Sequence, residues 1–116
     1  MDHPNEILLQ NNETVTTIKI GGDITAFSES FLNDAYEKAN QIGNDRLLLQ
    51  FESGAYINSG GIAVLIQLLA LSRKNEQRVG ITGLSDHFQK IFNMVGITKF
   101  ATIFQTREEA LEALKK

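Results

Sequence analysis

Leu47-Leu48-Leu49-Gln50-Phe51 is apolar at every position but Gln50, so an extended chain there has apolar residues on both of its faces. A strand of that kind needs cover on two sides, as at the centre of a largely parallel sheet. Shortly after it, Ser59-Gly60-Gly61 opens a run of helix formers, Ile62 to Leu71, that is apolar almost all round. Such a helix is wholly buried, or buried and partner-facing. A two-sided strand followed by a buried helix implies a crossover unit and an α/β architecture.

The remaining segments fit the same plan. Ile7-Leu8-Leu9 and the β-branched stretch around Val15, Thr17 and Ile18 or Ile20 predict two strands joined by a polar turn from Gln10 to Glu13. Phe31, Leu32, Ala35, Tyr36, Ala39 and Ile42 recur at the spacing of one helix face, and Gly43 is a stop signal. A polar turn is expected from Ser72 to Gln77, then a strand over Arg78 to Thr82. Ser85-Asp86 caps a helix bearing Phe88, Ile91, Phe92 and Val95, ended by Gly96. Ile103-Phe104 is a last short strand, and Thr106-Arg107-Glu108-Glu109 has the capping-box form ahead of Ala110, Leu111 and Leu114. Helical crossovers after an initial hairpin predict a mixed sheet of about five strands with about four helices.

A chain of 116 residues accommodates one core, so a single domain over 1–116 is expected. Eleven basic against fourteen acidic residues give a net charge of −3 without a basic run, which argues against a nucleic-acid surface. The absence of cysteine excludes disulfides and thiolate metal sites and suits a reducing, cytoplasmic setting. Met1 to Glu13 lacks the pattern of a secretory signal, so the mature chain is expected to start here. Ile62 to Leu71, interrupted by Gln67, is far short of the roughly 20 apolar residues of a spanning helix. Pro4 is the only proline, and neither a linker nor a repeat divides the chain.

Signatures of catalysis are missing. Gly83-Leu84-Ser85-Asp86-His87 begins like a nucleophile elbow but places His87 where a second glycine belongs. His3 and His87 are too few and too isolated for a metal pair or a catalytic triad, and His87 reads as a surface or boundary residue. Neither Gly-rich phosphate cradle occurs. Gly21-Gly22-Asp23 matches a cyclase signature only superficially, and Asp23 and Asp34 form no recognisable acid–base pair. No catalytic residue, cofactor or metal is expected.

One segment remains. In Ile57-Asn58-Ser59-Gly60-Gly61-Ile62 a hydroxyl and two glycines stand between a buried strand and an apolar helix. Free N–H groups and the positive dipole end at a helix start tolerate an anion, so a phosphate on Ser59 would be accommodated. The competing reading is that Ser59 only caps the helix and the glycines permit the tight turn, which is the commoner role of such residues.

Ile57-Asn58-Ser59-Gly60-Gly61-Ile62-Ala63-Val64-Leu65 resembles the signature of the STAS domain, the family of bacterial anti-sigma factor antagonists: an apolar pair, Asp-Ser-Ser/Ala-Gly, then an apolar helix. Gly22-Asp23-Ile24 is similar to the family's turn after the second strand. Gly83-Leu84-Ser85, Phe92 to Gly96 and the tail from Ile103 to Leu114 resemble its later segments. Asn58 stands where the family has an acid, and Gly60 where it has Ser or Ala.

The resemblance implies a STAS-type sandwich and a switch. The unphosphorylated protein would bind an anti-sigma factor that is also a serine kinase and release the sigma factor. Phosphorylation of Ser59 would end that binding, and a PP2C-type phosphatase would restore it. Asn58, Gly60, Gly61 and Ile62 would then belong to the partner-binding loop, with Asp23, Ile24 and Thr25 on the same surface; Asp23 read without the resemblance is a surface turn residue. For Ile62, Leu65, Ile66 and Leu69 core packing is the expected role. No direct nucleic-acid or membrane contact is implied, and the chain is expected to be a monomer or weak dimer. The alternative is a STAS scaffold or regulatory subunit of a stress-signalling complex or transporter, not switched by phosphorylation.

Overall fold

The computed structural model describes residues 5–116. An antiparallel hairpin, β1 (Glu6–Asn12) and β2 (Val15–Gly21), leads through a 3-10 turn (Ala26–Ser28) into α1 (Glu29–Ile42). β3 (Arg46–Phe51), α2 (Ser59–Lys74), β4 (Arg78–Thr82), α3 (Asp86–Met94), a second 3-10 turn (Ile97–Lys99), β5 (Thr102–Ile103) and α4 (Arg107–Lys115) follow. The sheet order is β1-β2-β3-β4-β5, with every pair after the first parallel.

Spatial order equals chain order, so the crossovers step in one direction across the sheet. Crossovers of one hand then deposit α1, α2 and α3 on the same face. That face carries the main core: Ile18 and Ile20 of β2, Leu47, Leu49 and Phe51 of β3, and Val79 and Ile81 of β4 meet Leu32, Leu65, Leu69 and Phe92 of the helices. Among the described residues the opposite face is covered by α4, where Val15 and Leu48 pack on Ala110 and Leu114. Leu48 therefore faces one cluster while Leu47 and Leu49 face the other, and all three are at most 1% exposed. The two-sided strand is central, as its composition requires.

Helix ends follow their sequence signals. Gly43 ends α1 in the left-handed conformation at φ 95°. Ser85 caps α3 by accepting from the Phe88 N–H at 3.3 Å. Thr106 Oγ1 accepts from the Glu109 N–H at 3.1 Å, while the Thr106 hydroxyl donates to Glu109 Oε1 at 3.2 Å.

Several expectations are corrected. The hairpin turn is Glu13-Thr14, because Gln10, Asn11 and Asn12 pair with Thr17, Thr16 and Val15 on an edge strand that water can reach. The chain does not turn at Ser72: α2 runs on to Lys74, and the buried Ser72 hydroxyl donates to the Leu69 carbonyl at 2.7 Å. Phe31, Ile42 and Val95 keep the helical spacing but lie toward solvent. His3 and Pro4 lie outside the described residues. Among the described residues no helix is long and apolar enough to cross a membrane.

Candidate functional site

The C-terminal ends of β2 and β3 release two loops that are laced together. The Ile24 N–H donates to the Tyr56 carbonyl at 2.8 Å and the Asn58 N–H to the Ile24 carbonyl at 3.1 Å, extending the sheet by one parallel bridge between Ile24 and Ile57. The Tyr56 N–H donates to Asp23 Oδ1 at 3.0 Å, and the Gly22 N–H to Glu52 Oε2 at 2.8 Å. From below, the Asn5 amide donates to the carbonyls of Gly21 and Asp23 at 2.8 and 3.0 Å. With their backbone groups satisfied by one another, the loops hold one geometry.

α2 begins directly beneath this lacing. A Cβ on Gly61 would stand 2.2 Å from the Ile24 carbonyl oxygen, so only glycine lets the helix start there. At Gly60 a Cβ would meet the Ala26 Cβ and backbone nitrogen at 3.1 Å, a tighter fit than normal that a backbone shift of a few tenths of an ångström would relieve. The apolar helix therefore reaches the surface at its first turn, against the Ala26–Ser28 turn.

Ser59 is not the cap. Asn58 takes that role, with extended backbone and its Oδ1 accepting from the Gly61 N–H at 2.9 Å. An amide side chain is as good a cap as a hydroxyl and lies one residue earlier, where the chain is still extended. Ser59 is thus the first helical residue, exposed, and its hydroxyl makes no hydrogen bond to any described residue. The first turn of α2 holds no acidic side chain, and the N–H groups of Ser59 and Gly60 have no acceptor in the described residues. Among the described residues no base is hydrogen-bonded to the Ser59 hydroxyl, which stands exposed at the electropositive end of a helix.

The other expected site residues separate by exposure. Asp23 is exposed, but one carboxylate oxygen is occupied in holding the Tyr56 backbone. Thr25 is half-buried and caps the first 3-10 turn through the Phe27 N–H at 3.1 Å. Ile24 is corrected: its side chain is fully buried in the core, so it shapes the surface only through its backbone. Gly61 is likewise buried; Ile62 is half-buried against the core. Leu65 and Leu69 are core residues, and Ile66 packs at the core's margin. Asp34 pairs with Lys38 at 3.0 Å on α1.

Two residues of this surface escape the sequence reading. Phe27 is 74% exposed on the turn that packs against the start of α2, and Tyr56 is 58% exposed, its ring edge-on to Phe88 at 5.7 Å between centroids. Both are aromatics outside any helical or strand periodicity and flanked by turn residues, which is the signal that could have found them. Among the described residues no group of three or more His, Cys, Asp or Glu is placed to hold a metal.

Comparison with known proteins agrees with the fold. A family model described as "Mlab, STAS domain" matches residues 7–105. An anti-sigma-B factor antagonist of Staphylococcus aureus (strain NCTC 8325 / PS 47) is 24% identical over 92 residues, covering 75% of this chain and 85% of that protein. An anti-sigma factor antagonist from Mycobacterium paratuberculosis superposes with a TM-score of 0.79 at 16% identity, covering 97% and 95% of the two chains. SpoIIAA in its unphosphorylated form superposes at 0.70 with 13% identity, covering 95% and 98%. With the model spanning most of the chain, and the five-stranded mixed sheet and four helices of that fold present, this protein belongs to the STAS domain family.

Proposed function

We propose that the protein is an anti-sigma factor antagonist that works by partner switching. Its unphosphorylated form binds a serine kinase anti-sigma factor and frees the sigma factor; phosphorylation of Ser59 releases the kinase, and a PP2C-type phosphatase resets the switch. It acts in the cytoplasm as a protein-binding module with no catalytic step of its own. The observation that carries this reading is the division of labour at the start of α2: Asn58 takes the cap, and the exposed Ser59 hydroxyl is left unbonded.

A phosphate there adds about −1.5 to −2 charges and three acceptor oxygens. The free N–H groups of the first helical turn meet them without any change of fold. Bringing the same charge into an interface that includes Phe27 and Tyr56 costs binding energy unless the partner supplies a cation. The partner-binding surface in this reading comprises Asp23, Thr25, Asn58, Ser59, Gly60 and the exposed edge of Ile62, with the two aromatics beside them.

The test is intact-mass spectrometry after incubation with ATP and each candidate serine kinase anti-sigma factor of the same genome, with site mapping. One phosphate, on Ser59, is the expected result. Binding without phosphate transfer would leave an unregulated antagonist. Neither phosphate nor binding would overturn the proposal in favour of a scaffold or transporter subunit.

A further inference from the structure

The two edges of the sheet differ. β5 has only two residues, Thr102 and Ile103, and so short a strand offers little for another chain to pair with. β1 runs for seven residues in unbroken register with β2, without a bulge, a proline or a lysine, and Glu6 at its start is its only charge. Among the described residues no backbone group pairs with its outer side. The features by which proteins blunt an edge strand are thus present at one side of the sheet and missing from the other.

The hairpin fixes which backbone groups that edge presents. Its loop is the two residues Glu13 and Thr14, so Asn12 and Val15 form a hydrogen-bonded pair, and Gln10, Leu8 and Glu6 bond to β2 at alternate positions after it. Ile20, opposite Ile7, accordingly turns its carbonyl the other way, toward the Glu52 N–H at 3.0 Å. The N–H and C=O groups of Ile7, Leu9 and Asn11 therefore point away from β2. A second β1 laid antiparallel, with Leu9 opposite Leu9, sets Ile7 against Asn11 on both sides of the axis. Every one of those groups then finds a partner, and the whole strand stays in register. Centring the pair on any other residue leaves part of the strand unpaired. Glu6 falls opposite the neutral Asn12, so no like charges meet.

The side chains suit the same occupant. Leu8 is 56% exposed on the α4 face of the sheet, and in this register Leu8 of one copy lies diagonal to Leu8 of the other, within reach across the seam. On the opposite face a cavity of about 330 Å³ opens between β1 and α1, lined by Ile7, Leu9, Phe31 and Ala35 among others. Leu9 of the second copy comes to lie beside it. We infer that the outer edge of β1 is the interface of a symmetric homodimer, two copies of this chain joining their five-stranded sheets edge to edge. The same surface meets itself, so the association closes at two copies and does not propagate. It uses a different set of residues from the Ser59 surface and stands independently of the partner-switching reading.

The experiment is sedimentation equilibrium of the full chain over a range of concentrations, with backbone-amide NMR spectra at both ends of the range. A single strand of seven residues buries less than a standard interface, so a dissociation constant of about 0.1 mM is expected. The concentration-dependent shifts should centre on Ile7, Leu9 and Asn11 and leave Thr102 of β5 unmoved. Leu8→Glu should weaken association about tenfold or more: within the chain it faces Lys19, which supports the fold, but across the seam it sets two carboxylates diagonal to each other. Asn11→Pro removes one outward N–H, keeps the hairpin bonds of Gln10 and Asn12, and should abolish association. Leu8→Glu decides the matter if Asn11→Pro fails to fold. The proposal is overturned if the parent chain is still monomeric at about 1 mM, if the shifts lie away from β1, or if folded Leu8→Glu associates like the parent.

Discussion

Gly61 lies so close to Ile24 that a single added carbon would stand 2.2 Å from the Ile24 carbonyl oxygen. That oxygen is already engaged by the Asn58 N–H at 3.1 Å. The contact sets the height at which α2 emerges beside the β2–α1 turn, and so where Ser59 stands.

Gly61→Ala is therefore expected to destabilise the protein by about 3 kcal/mol or to prevent folding, since an overlap at 2.2 Å with the Ile24 carbonyl requires a large backbone displacement. Gly60→Ala, whose Cβ meets Ala26 at 3.1 Å, should cost about 1 kcal/mol or less. Urea denaturation of both variants checks the contrast. Equal losses would place the constraint elsewhere than in the Ile24 carbonyl.

Asn58→Ala removes the cap of α2 and should cost about 1 kcal/mol. Asn58→Asp keeps the acceptor for Gly61 and puts a negative charge at the positive helix end, so it should be at least as stable as the parent. The same denaturation series reads both. A destabilising Asn58→Asp would mean that the amide nitrogen, not the cap oxygen, is what the loop needs.

Phe27 contributes little to the fold, being largely exposed. Phe27→Ala should leave stability within about 0.5 kcal/mol of the parent. If the turn is the partner-facing aromatic anchor inferred above, the same variant should weaken binding to the cognate anti-sigma factor by about 2 kcal/mol, roughly thirtyfold in Kd. Calorimetric titration of the folded variant separates the two effects, and undiminished affinity would remove Phe27 from the interface.

Ser59→Ala and Ser59→Asp form a matched pair. The hydroxyl holds no structural hydrogen bond among the described residues, so Ser59→Ala should bind the anti-sigma factor like the parent chain and accept no phosphate. Ser59→Asp should bind about tenfold or more weakly while keeping the fold, as a charge placed in a largely desolvated interface does. Unchanged binding by Ser59→Asp would show that the interface lies away from the start of α2.

Much of this was legible in the sequence because it depends on local pattern. Leu47 to Phe51 read as a central strand from its two apolar faces, and the stops at Gly43 and Gly96 and the caps at Ser85 and Thr106 follow from chemistry confined to a few neighbouring residues. The candidate phosphoacceptor stood out for the same reason, as a hydroxyl between a strand and an apolar helix. What the local pattern could not rank was which of two adjacent polar residues would cap α2. Asn58 prevails because its backbone is fixed in the extended form by the Ile24 bridge, a partner more than thirty residues away in sequence.

Long-range packing decided the rest. Ile24 looked like a surface neighbour of Asp23 but is buried, because the parallel bridge to Ile57 turns its side chain into the core. The turn bearing Phe27 packs against the start of α2 only because two loops from different strands are laced together. Gln50, Thr82 and Arg107 border one surface groove because chain order equals sheet order, which sends α1, α2 and α3 to the other face. The sequence by itself determined the order and type of the elements and those ends, such as Gly43, Ser85 and Thr106, whose deciding interactions span a few residues. Only the tertiary structure decided which side chains share a surface, because that depends on the register and handedness of contacts distant along the chain.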